Sequence, residues 1–303
     1  MKIVIAGGSG FIGAKLTDLL IKDGHEVVIL TRNEKATEKG VSYVVWLREG
    51  ATPEKDLENV DAFINLAGTS INDGRWTEKH KKEIYNSRMV ATEELLRIID
   101  AMPEKPSIFI NASAIGIYPV SLDTVYTEKS TVAPNDFLGK TVSDWEKKAK
   151  LVEQYGVRTA FMRFGVVLGK EGGALPLMTL PYRLFVGGTI GSGKQWVSWI
   201  HISDVVRSIK FALENNHVTG PINVTAPTPV RMKDFGQTIG SVLNRSHWLP
   251  VPSFVLKIVL GQKSKLVLEG QKVLPNVLIE NGFDFTFPNL DDALKDLYKK
   301  SYY

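Results

Sequence analysis

A cluster of glycines directly after the first apolar segment is the strongest chemical feature of this 303-residue sequence. Residues 7–13 read Gly-Gly-Ser-Gly-Phe-Ile-Gly, which contains the spacing G-x-x-G-x-x-G. The first glycine permits a tight turn, the second lets a pyrophosphate approach the backbone, and the third lets the next helix pack closely on a sheet. The free N–H groups at the start of that helix favour phosphate. Although glycines also serve tight turns without a ligand, the pattern predicts a dinucleotide-binding turn that comprises Gly7, Ser9, Gly10, Phe11, Ile12 and Gly13.

The residues after the second apolar segment predict which dinucleotide the turn would bind. An NAD-binding site has an acidic residue at this point, which bonds the ribose 2′-hydroxyl, whereas this chain has Thr31 and Arg32. The planar guanidinium of arginine suits a 2′-phosphate, because it can donate two charge-assisted hydrogen bonds. Arg32 would also fit as an ordinary surface arginine after a strand. We expect NADP(H) rather than NAD(H), with Thr31 as a second phosphate donor.

Alternating strand-like and helix-like segments would position these residues. Short apolar runs typical of buried parallel strands alternate with segments of helical spacing. The predicted strands are Lys2–Ala6, Glu26–Leu30, Tyr43–Leu47, Ala62–Leu66, Ser107–Ala112 and Val157–Phe164, and the predicted helices are Phe11–Asp23, Trp76–Met102 and Asp144–Tyr155. This alternation predicts an α/β protein in which helices cover both faces of a parallel sheet.

The second half of the chain has a different pattern. After about residue 170, glycine and proline become frequent, as in long loops around a site. We predict two domains, residues 1–225 and a small C-terminal unit of residues 226–303. Within the second, Phe254–Leu268 is amphipathic and carries lysines. Such a segment can lie on a membrane surface, but we expect its apolar face to pack on the main domain.

Composition excludes several classes of protein. The 37 basic and 33 acidic side chains leave a net charge of +4 without a basic block, so we expect no nucleic-acid partner. The chain has no cysteine, which excludes disulfides and thiolate metal sites, and its five histidines lack metal-ligand spacing, so we expect no metal. No apolar run reaches the roughly 20 residues that cross a bilayer, and the first residues do not resemble a signal peptide. We expect a cytoplasmic protein without a membrane partner.

Several segments together resemble the extended short-chain dehydrogenases/reductases, the NAD-dependent epimerase/dehydratase group. They include the glycine turn, residues 65–68 (Asn-Leu-Ala-Gly) and residues 199–205 (Trp-Ile-His-Ile-Ser-Asp-Val). Residues 86–88, 163–169 and 268–275 resemble an atypical branch with a short C-terminal domain of unknown function, often labelled sugar-nucleotide epimerases or cell-division inhibitors. The resemblance covers nearly the whole chain and implies a Rossmann-type, doubly wound parallel sheet with a small C-terminal α/β domain on the substrate side.

The resemblance also implies further cofactor contacts. It places the cofactor against Leu66, Ala67, Gly68 and Val166. Glu83 and Arg88, both on the long predicted helix, match cofactor-contacting positions of the branch. Glu83 can accept hydrogen bonds from ribose hydroxyls, and Arg88 can face a phosphate or pair with an acid. Both residues also fit an ordinary charged helix face.

One departure from the family concerns acid–base chemistry. Catalytic members of the wider family use a Tyr-x-x-x-Lys pair with a serine, and the lysine helps to lower the pKa of the tyrosine so that its phenolate can accept a substrate proton. Aligned on Glu146, these two positions fall at Leu138 and Val142, and neither side chain can transfer a proton. Ser113 could still hydrogen-bond a substrate oxygen, and Tyr118 could supply a phenol. These two are the candidate catalytic residues, although both also suit structural roles.

The sequence supports two functions. The first is an NADP(H)-dependent oxidoreductase or epimerase that acts on a small hydroxyl or carbonyl compound, for example a nucleotide sugar. The second, favoured by the loss of the Tyr-x-x-x-Lys pair, is a non-catalytic NADP(H)-binding regulator that responds to redox state or binds a partner. We favour the enzyme. The substrate is not specified, and because many relatives pair through the two long helices, a homodimer is an open prediction.

Overall fold

The computed structural model describes residues 1–38, 40–131 and 133–298. The strands are β1 (Lys2–Ala6), β2 (Glu26–Thr31), β3 (Val41–Val45), β4 (Ala62–Asn65), β5 (Ile108–Ala114), β6 (Val125–Tyr126), β7 (Arg158–Phe164), β8 (Val166–Leu168), β9 (Trp196–Val197), β10 (Trp199–His201), β11 (Gly220–Val224), β12 (Val230–Arg231) and β13 (Lys272–Val273). The α-helices are α1 (Phe11–Lys22), α2 (Glu78–Ala101), α3 (Phe137–Lys150), α4 (Leu175–Arg183), α5 (Ile202–Glu214), α6 (Met232–Leu243), α7 (Ser253–Leu260), α8 (Lys265–Leu268), α9 (Asn276–Glu280) and α10 (Leu290–Tyr298).

Seven of these strands form one sheet in the order β11-β7-β5-β4-β1-β2-β3. Every neighbouring pair in this sheet is parallel, so all seven carboxyl ends lie at one edge. The chain moves outward from β1 in one direction through β2 and β3, and then in the other direction through β4, β5 and β7. Such a reversal of strand order creates a crevice at the carboxyl edge beside the first strand, where α/β proteins bind ligands.

Helices cover both faces of the sheet, because alternate strand residues point in opposite directions. Ile3 and Ile5 of β1 are completely buried in one core together with residues of α1 and α5. Val4 and Ala6, which alternate with them, are buried in a second core with residues of α2 and the end of α3. The α/β expectation is therefore confirmed, and the sheet lies between two apolar cores.

Helix α3 begins seven residues before the start that its apolar pattern predicts, at Phe137 rather than Asp144. Asp136 caps it, because its side chain accepts a hydrogen bond from Gly139 N at 2.8 Å. Gly139 has a low intrinsic helix propensity, but a Cβ on this residue would lie 2.7 Å from Pro134 Cβ and 3.1 Å from Gly116 O. Tertiary packing at this point overrides the local preference against helix.

A third core joins the loops after β7 to the later part of the chain. It buries residues from 168 to 199 together with residues from 226 to 294. The stretch Phe254–Leu268 divides into α7, a 3-10 turn and α8. It packs on the main domain only in part, since Gln195 Nε2 donates to Val267 O at 2.8 Å but no residue of α7 is buried. In the part of the chain that the structure describes, no helix is both long and apolar enough to cross a membrane.

Candidate functional site

The glycine turn after β1 has no space for side chains at two of its positions. Gly7 has a φ of +84°, and a Cβ on it would lie 2.7 Å from the carbonyl carbon and oxygen of Leu66. A Cβ on Gly13 would lie 2.2 Å from Gly7 O. Glycine is therefore required at both positions, because the turn lies directly against the end of β4 and against the first turn of α1.

The N-terminus of α1 has polar groups to offer a ligand. Gly10 is its N-cap, and no side chain caps the helix, so the first backbone N–H groups lack an intrahelical acceptor. Ser9 and Gly10 are exposed, and Phe11 and Ile12 are half-buried. These uncapped N–H groups, together with the helix dipole, suit a phosphate group.

The loop after β8 lies over the start of α1. A Cβ on Gly172 would lie 2.6 Å from the Phe11 ring, and Cβ atoms on Gly169 and Gly173 would lie 2.4 and 3.2 Å from it. Val166 belongs to the preceding strand, where it pairs with Trp199, and is half-buried. The glycine-rich segment that the sequence assigns to a loop around a site therefore contacts the glycine turn itself.

Thr31 and Arg32 lie at the carboxyl end of β2. Thr31 ends the strand, and its Oγ1 accepts a hydrogen bond from Asn33 N at 3.4 Å. Arg32 is exposed. A groove of about 590 Å³ begins at Glu34, two residues further on, and runs along β3. Arg32 is thus free to contact a group at the outer end of the crevice.

The end of β4 is fixed by buried amides. Asn65 is completely buried and donates from Nδ2 to Asn111 Oδ1 at 2.7 Å and to Thr92 Oγ1 at 3.1 Å. Its Oδ1 accepts from Ala67 N at 3.2 Å. Leu66 and Ala67 are therefore held at the carboxyl edge beside the glycine turn.

Arg88 of α2 packs on the next residues of this segment. A Cβ on Gly68 would lie 3.1 Å from the guanidinium carbon of Arg88, which donates to Thr69 O at 3.1 Å and to Ile84 O at 2.8 Å. The guanidinium also lies over the ring of Trp145, 5.1 Å from its centroid. Burial lowers the pKa of Arg88 to about 10, which leaves it charged at neutral pH.

Glu83 lies five residues earlier on α2 and is exposed. His80 Nδ1 is 3.2 Å from Glu83 Oε2, and Thr77 caps the helix by accepting from His80 N at 3.2 Å. The carboxylate of Glu83 is thus oriented by its own helix and is open to solvent on its other side.

Ser113 lies at the end of β5 in a buried charged network. Its Oγ donates to Glu146 Oε1 at 2.5 Å. Arg163 of β7 donates to both carboxylate oxygens of Glu146 at 2.8 Å. Although burial lowers the pKa of Arg163, its hydrogen bonds to Glu146 raise that pKa above its usual value. The single proton of Ser113 therefore points to an ion-paired carboxylate.

Tyr118 is enclosed by the same network and is 1% exposed. Its hydroxyl accepts from Arg163 Nη1 at 2.8 Å and donates to Asn223 Oδ1 at 2.8 Å. Its ring stacks on Tyr126 with the centroids 5.1 Å apart. Burial raises the pKa of Tyr118, and the positive charge of Arg163 opposes this rise only in part.

Leu138 and Val142, the two positions that the sequence analysis aligns with an acid–base pair, lie against apolar groups. Val142 is buried in a cluster with Ile115, Tyr118 and other apolar residues. The Cβ of Leu138 lies 3.8 Å from where a Cβ on Gly116 would be. Both side chains pack against the turn that follows β5.

The carboxyl edge thus brings together the glycine turn, residues 31–32, residues 66–68, Arg88, Ser113 and the loop after Val166. Reasoning from the sequence did not assign a role to Arg163 and used Glu146 only to align the helix. A signal was present, because an arginine inside an otherwise apolar strand must be paired when buried. In the described residues no three histidine, aspartate or glutamate side chains cluster as metal ligands would.

This fold and this crevice are those of a known class of protein: the chain belongs to the NAD dependent epimerase/dehydratase family, whose profile matches residues 3–225. A second profile, described as a domain of unknown function, matches residues 251–297. The family resemblance inferred from the sequence is confirmed.

Particular relatives match along their whole length. "Epimerase family protein YfhF" of Bacillus subtilis (strain 168) is 52% identical over 298 residues, which cover 98% of this chain and 98% of that protein. "Epimerase family protein SERP0438" of Staphylococcus epidermidis is 42% identical over 299 residues, which cover 98% of this chain and 99% of that protein.

Solved structures agree with the fold. The crystal structure of the human epimerase family protein SDR39U1 (isoform 2) with NADPH has a TM-score of 0.88 and 37% identity, and the match covers 98% of this chain and 99% of that chain. UDP-glucuronic acid 4-epimerase from Bacillus cereus, in complex with UDP-glucuronic acid and NAD, has a TM-score of 0.79 at 18% identity, with 98% of each chain covered. The second similarity is one of fold alone. The Rossmann-type fold is confirmed.

Proposed function

We propose that this protein binds NADP(H) along the carboxyl edge of its sheet and acts as an oxidoreductase or epimerase on a small hydroxyl or carbonyl compound. The observation that carries this proposal is the glycine turn. Gly7 and Gly13 leave no space for a side chain, and the uncapped start of α1 offers N–H groups. A pyrophosphate fits such a backbone cradle, because it needs close approach and hydrogen-bond donors.

The remaining cofactor contacts follow from this placement. We assign Gly7, Ser9, Gly10, Phe11, Ile12 and Gly13 to the pyrophosphate, Thr31 and Arg32 to the 2′-phosphate, and Leu66, Ala67, Gly68 and Val166 to the walls of the crevice. The human relative was solved with NADPH, which supports the choice of the phosphorylated dinucleotide. Residues 1–225 would form the cofactor unit, and residues 226–303 would close the crevice on the substrate side.

Arg88 supports an anionic ligand. Its guanidinium is desolvated enough to lower its pKa to about 10, and its two hydrogen bonds go to uncharged carbonyl groups. A buried cation is stabilised strongly by a negative group, and a cofactor phosphate would supply one. Glu83, which is exposed five residues away, would accept hydrogen bonds from ribose hydroxyls.

The chain's own residues constrain the chemistry. NADP(H), when bound, supplies or accepts a hydride. Because Ser113 donates its proton to Glu146, its oxygen is left to accept a hydrogen bond from a substrate hydroxyl. Leu138 and Val142 cannot carry a proton, so water or a group of the substrate would have to do so. We propose that Ser113 contacts the substrate, whereas Tyr118, as a catalytic phenol, would first have to leave its hydrogen bonds.

Calorimetric titration with NADPH and NADH tests the proposed cofactor. We expect at least about a tenfold preference for NADPH, because a charge-assisted hydrogen bond contributes roughly 1.5–3 kcal/mol. Arg32→Asp should abolish or reverse this preference, whereas Arg183→Asp, a matched change at an exposed arginine of α4, should leave it unchanged. An unchanged ratio in Arg32→Asp would mean that Arg32 does not contact the 2′-phosphate.

Turnover tests the proposed reaction. A panel of carbonyl and hydroxyl compounds should include one that is converted with NADPH or NADP⁺, and Ser113→Ala should lose this activity while it still binds NADPH. If NADPH binds and no compound is converted, the enzyme hypothesis fails.

The second candidate, a non-catalytic NADP(H)-binding regulator, is favoured by the hydrocarbon at Leu138 and Val142. It requires a partner whose affinity differs between the oxidised and reduced cofactor.

A further inference from the structure

Helix α7 exposes three of its apolar side chains to solvent. Phe254, Ile258 and Val259 are 64%, 75% and 57% exposed, and Lys257 of the same helix is also exposed. Single exposed apolar residues are normal on a protein surface, but a group of them usually marks a surface that binds a protein, a membrane or a ligand.

Two further segments, which backbone hydrogen bonds such as Val251 N to Thr189 O at 2.8 Å connect to the start of α7, also expose apolar side chains. Leu184 and Phe185, which follow α4, and Trp248 are each 62% exposed. Backbone hydrogen bonds join the two segments, since Trp248 N donates to Gly187 O at 2.9 Å. The indole of Trp248 also donates to Phe185 O at 3.0 Å. We call the exposed side chains of residues 184–186, 248–249 and 254–259 the apolar surface.

The two stretches of chain that carry the apolar surface contain cationic residues and no acidic ones. Residues 172–195 and 244–268 contain no aspartate or glutamate. The same two stretches contain the cationic residues Arg183, Lys194, Arg245, Lys257, Lys263 and Lys265. Arg245 lies over the ring of Phe185, with 4.4 Å between guanidinium and ring centroid. Since the whole chain has a net charge of only +4, its positive charge is concentrated in this region.

We propose that the apolar surface docks onto the surface of an anionic phospholipid bilayer. Tryptophan, phenylalanine and aliphatic side chains, in stretches that contain lysine and arginine but no acidic residue, match the chemistry of a bilayer interface. The cations would approach lipid phosphates while the apolar groups enter the headgroup region. A second copy of this chain fits less well, because a two-fold contact would bring like charges together.

A bilayer also fits better than an acidic protein. The exposed apolar groups come from three separate segments and stand among cations, so a fluid surface can accommodate them without a matching shape. Helix α7 has eight residues, far fewer than the roughly 20 that span a bilayer, so the contact would be peripheral. This inference departs from the sequence expectation of no membrane partner, and it does not depend on the proposed reaction.

Sedimentation with vesicles tests the proposal on the full chain. We compare vesicles of phosphatidylcholine alone with vesicles of phosphatidylcholine and phosphatidylglycerol in equal amounts. The protein should bind the anionic vesicles at least about tenfold more strongly at low salt, and high salt should weaken this binding. Brominated lipid should quench Trp248 fluorescence, and Trp248→Phe should remove most of the quenching but not the binding.

Matched variants locate the contact. Ile258→Asp and Lys257→Glu should each reduce binding to anionic vesicles severalfold, whereas Val90→Asp, at a residue of α2 that is 52% exposed, and Lys147→Glu on α3 should not. Absence of anionic-lipid binding would overturn the proposal, and so would an equal loss in the control variants. A dimer in sedimentation velocity that Ile258→Asp dissociates would overturn it in favour of a second copy.

Discussion

Gly13 shows how one residue without a side chain determines the shape of the turn. A Cβ at this position would lie 2.2 Å from Gly7 O, so Gly13→Ala must push α1 away from β1. We expect this variant to lose NADPH binding and about 1–3 kcal/mol of unfolding free energy. Calorimetry and urea unfolding measure the two effects.

Gly116→Ala is a matched control, because its Cβ would meet only Leu138, at an ordinary distance of 3.8 Å. Its stability should stay within about 0.5 kcal/mol of the parent protein. If Gly13→Ala binds NADPH as tightly as Gly116→Ala does, the turn does not hold the pyrophosphate.

Glu146 gives a second prediction at the scale of one residue. Glu146→Gln removes the charge that Arg163 contacts through two hydrogen bonds, and a buried cation without its partner costs about 3–5 kcal/mol. Ser113→Ala removes only one hydrogen bond to the same carboxylate and should cost about 1 kcal/mol. Urea unfolding of both variants checks this order, and equal losses would show that the ion pair does not dominate the network.

Some of these residues could be predicted from the sequence and others could not. The shape of the glycine turn could, because the spacing of the glycines already specifies the local backbone geometry between β1 and α1. The partners of Arg163 could not, since Glu146 lies 17 residues away on another element and meets it only when α3 packs on β5 and β7. The family resemblance indicated the helix that carries Glu146, but only the tertiary structure shows that Ser113 donates its proton to this residue.

At the scale of elements, the loop after β8 packs on helix α1 through the side chain of Phe11. A Cβ on Gly172 would lie 2.6–3.2 Å from atoms at the base of the Phe11 side chain, which cannot swing away as a ring edge can. Gly172→Ala should therefore shift the start of α1 and weaken NADPH binding by roughly tenfold, a loss of about 1.4 kcal/mol. The double variant Phe11→Ala with Gly172→Ala should bind more tightly than Gly172→Ala alone, because the clash is gone.

The apolar periodicity of the sequence predicted the bounds of strands and helices better than it predicted what their apolar faces pack against. The bounds of β1 were predicted correctly, and the start of α1 at Phe11 also matches. The packing of Phe254–Leu268 was predicted only in part: Val255, Leu256 and Leu260 are half-buried, whereas other apolar residues of α7 are exposed. An apolar pattern shows that a helix should be covered without showing how much of it the same chain covers. Phe254 and Ile258 of α7 stay exposed, so packing in the core does not account for apolar residues at these two positions.

At the scale of the whole molecule, two histidines couple stability to pH. His201 is 3% exposed, accepts from Ser203 N at 3.2 Å and lies 3.4 Å from Asp296 of α10. Burial lowers its pKa, although Asp296 partly opposes this effect. His247 lies between Tyr182 and Thr189 at 2.8 and 3.0 Å, and burial lowers its pKa as well.

A lowered histidine pKa in the folded state means that the unfolded chain binds more protons just below about pH 6.5. The free energy of unfolding should therefore fall as the pH is lowered from about 7.5 to about 5.5. Burial raises the pKa of Glu128, so this carboxyl group makes the free energy of unfolding rise as the pH is lowered, opposite to the histidines. The measurements therefore stay above the pH range in which carboxyl groups normally titrate. His201→Gln and His247→Gln should each reduce the pH dependence of urea unfolding, whereas His217→Gln, at an exposed ring, should keep it. If all three variants keep the full pH dependence, the fold does not lower the pKa of either His201 or His247, and the contact of His201 with Asp296 does not couple stability to pH.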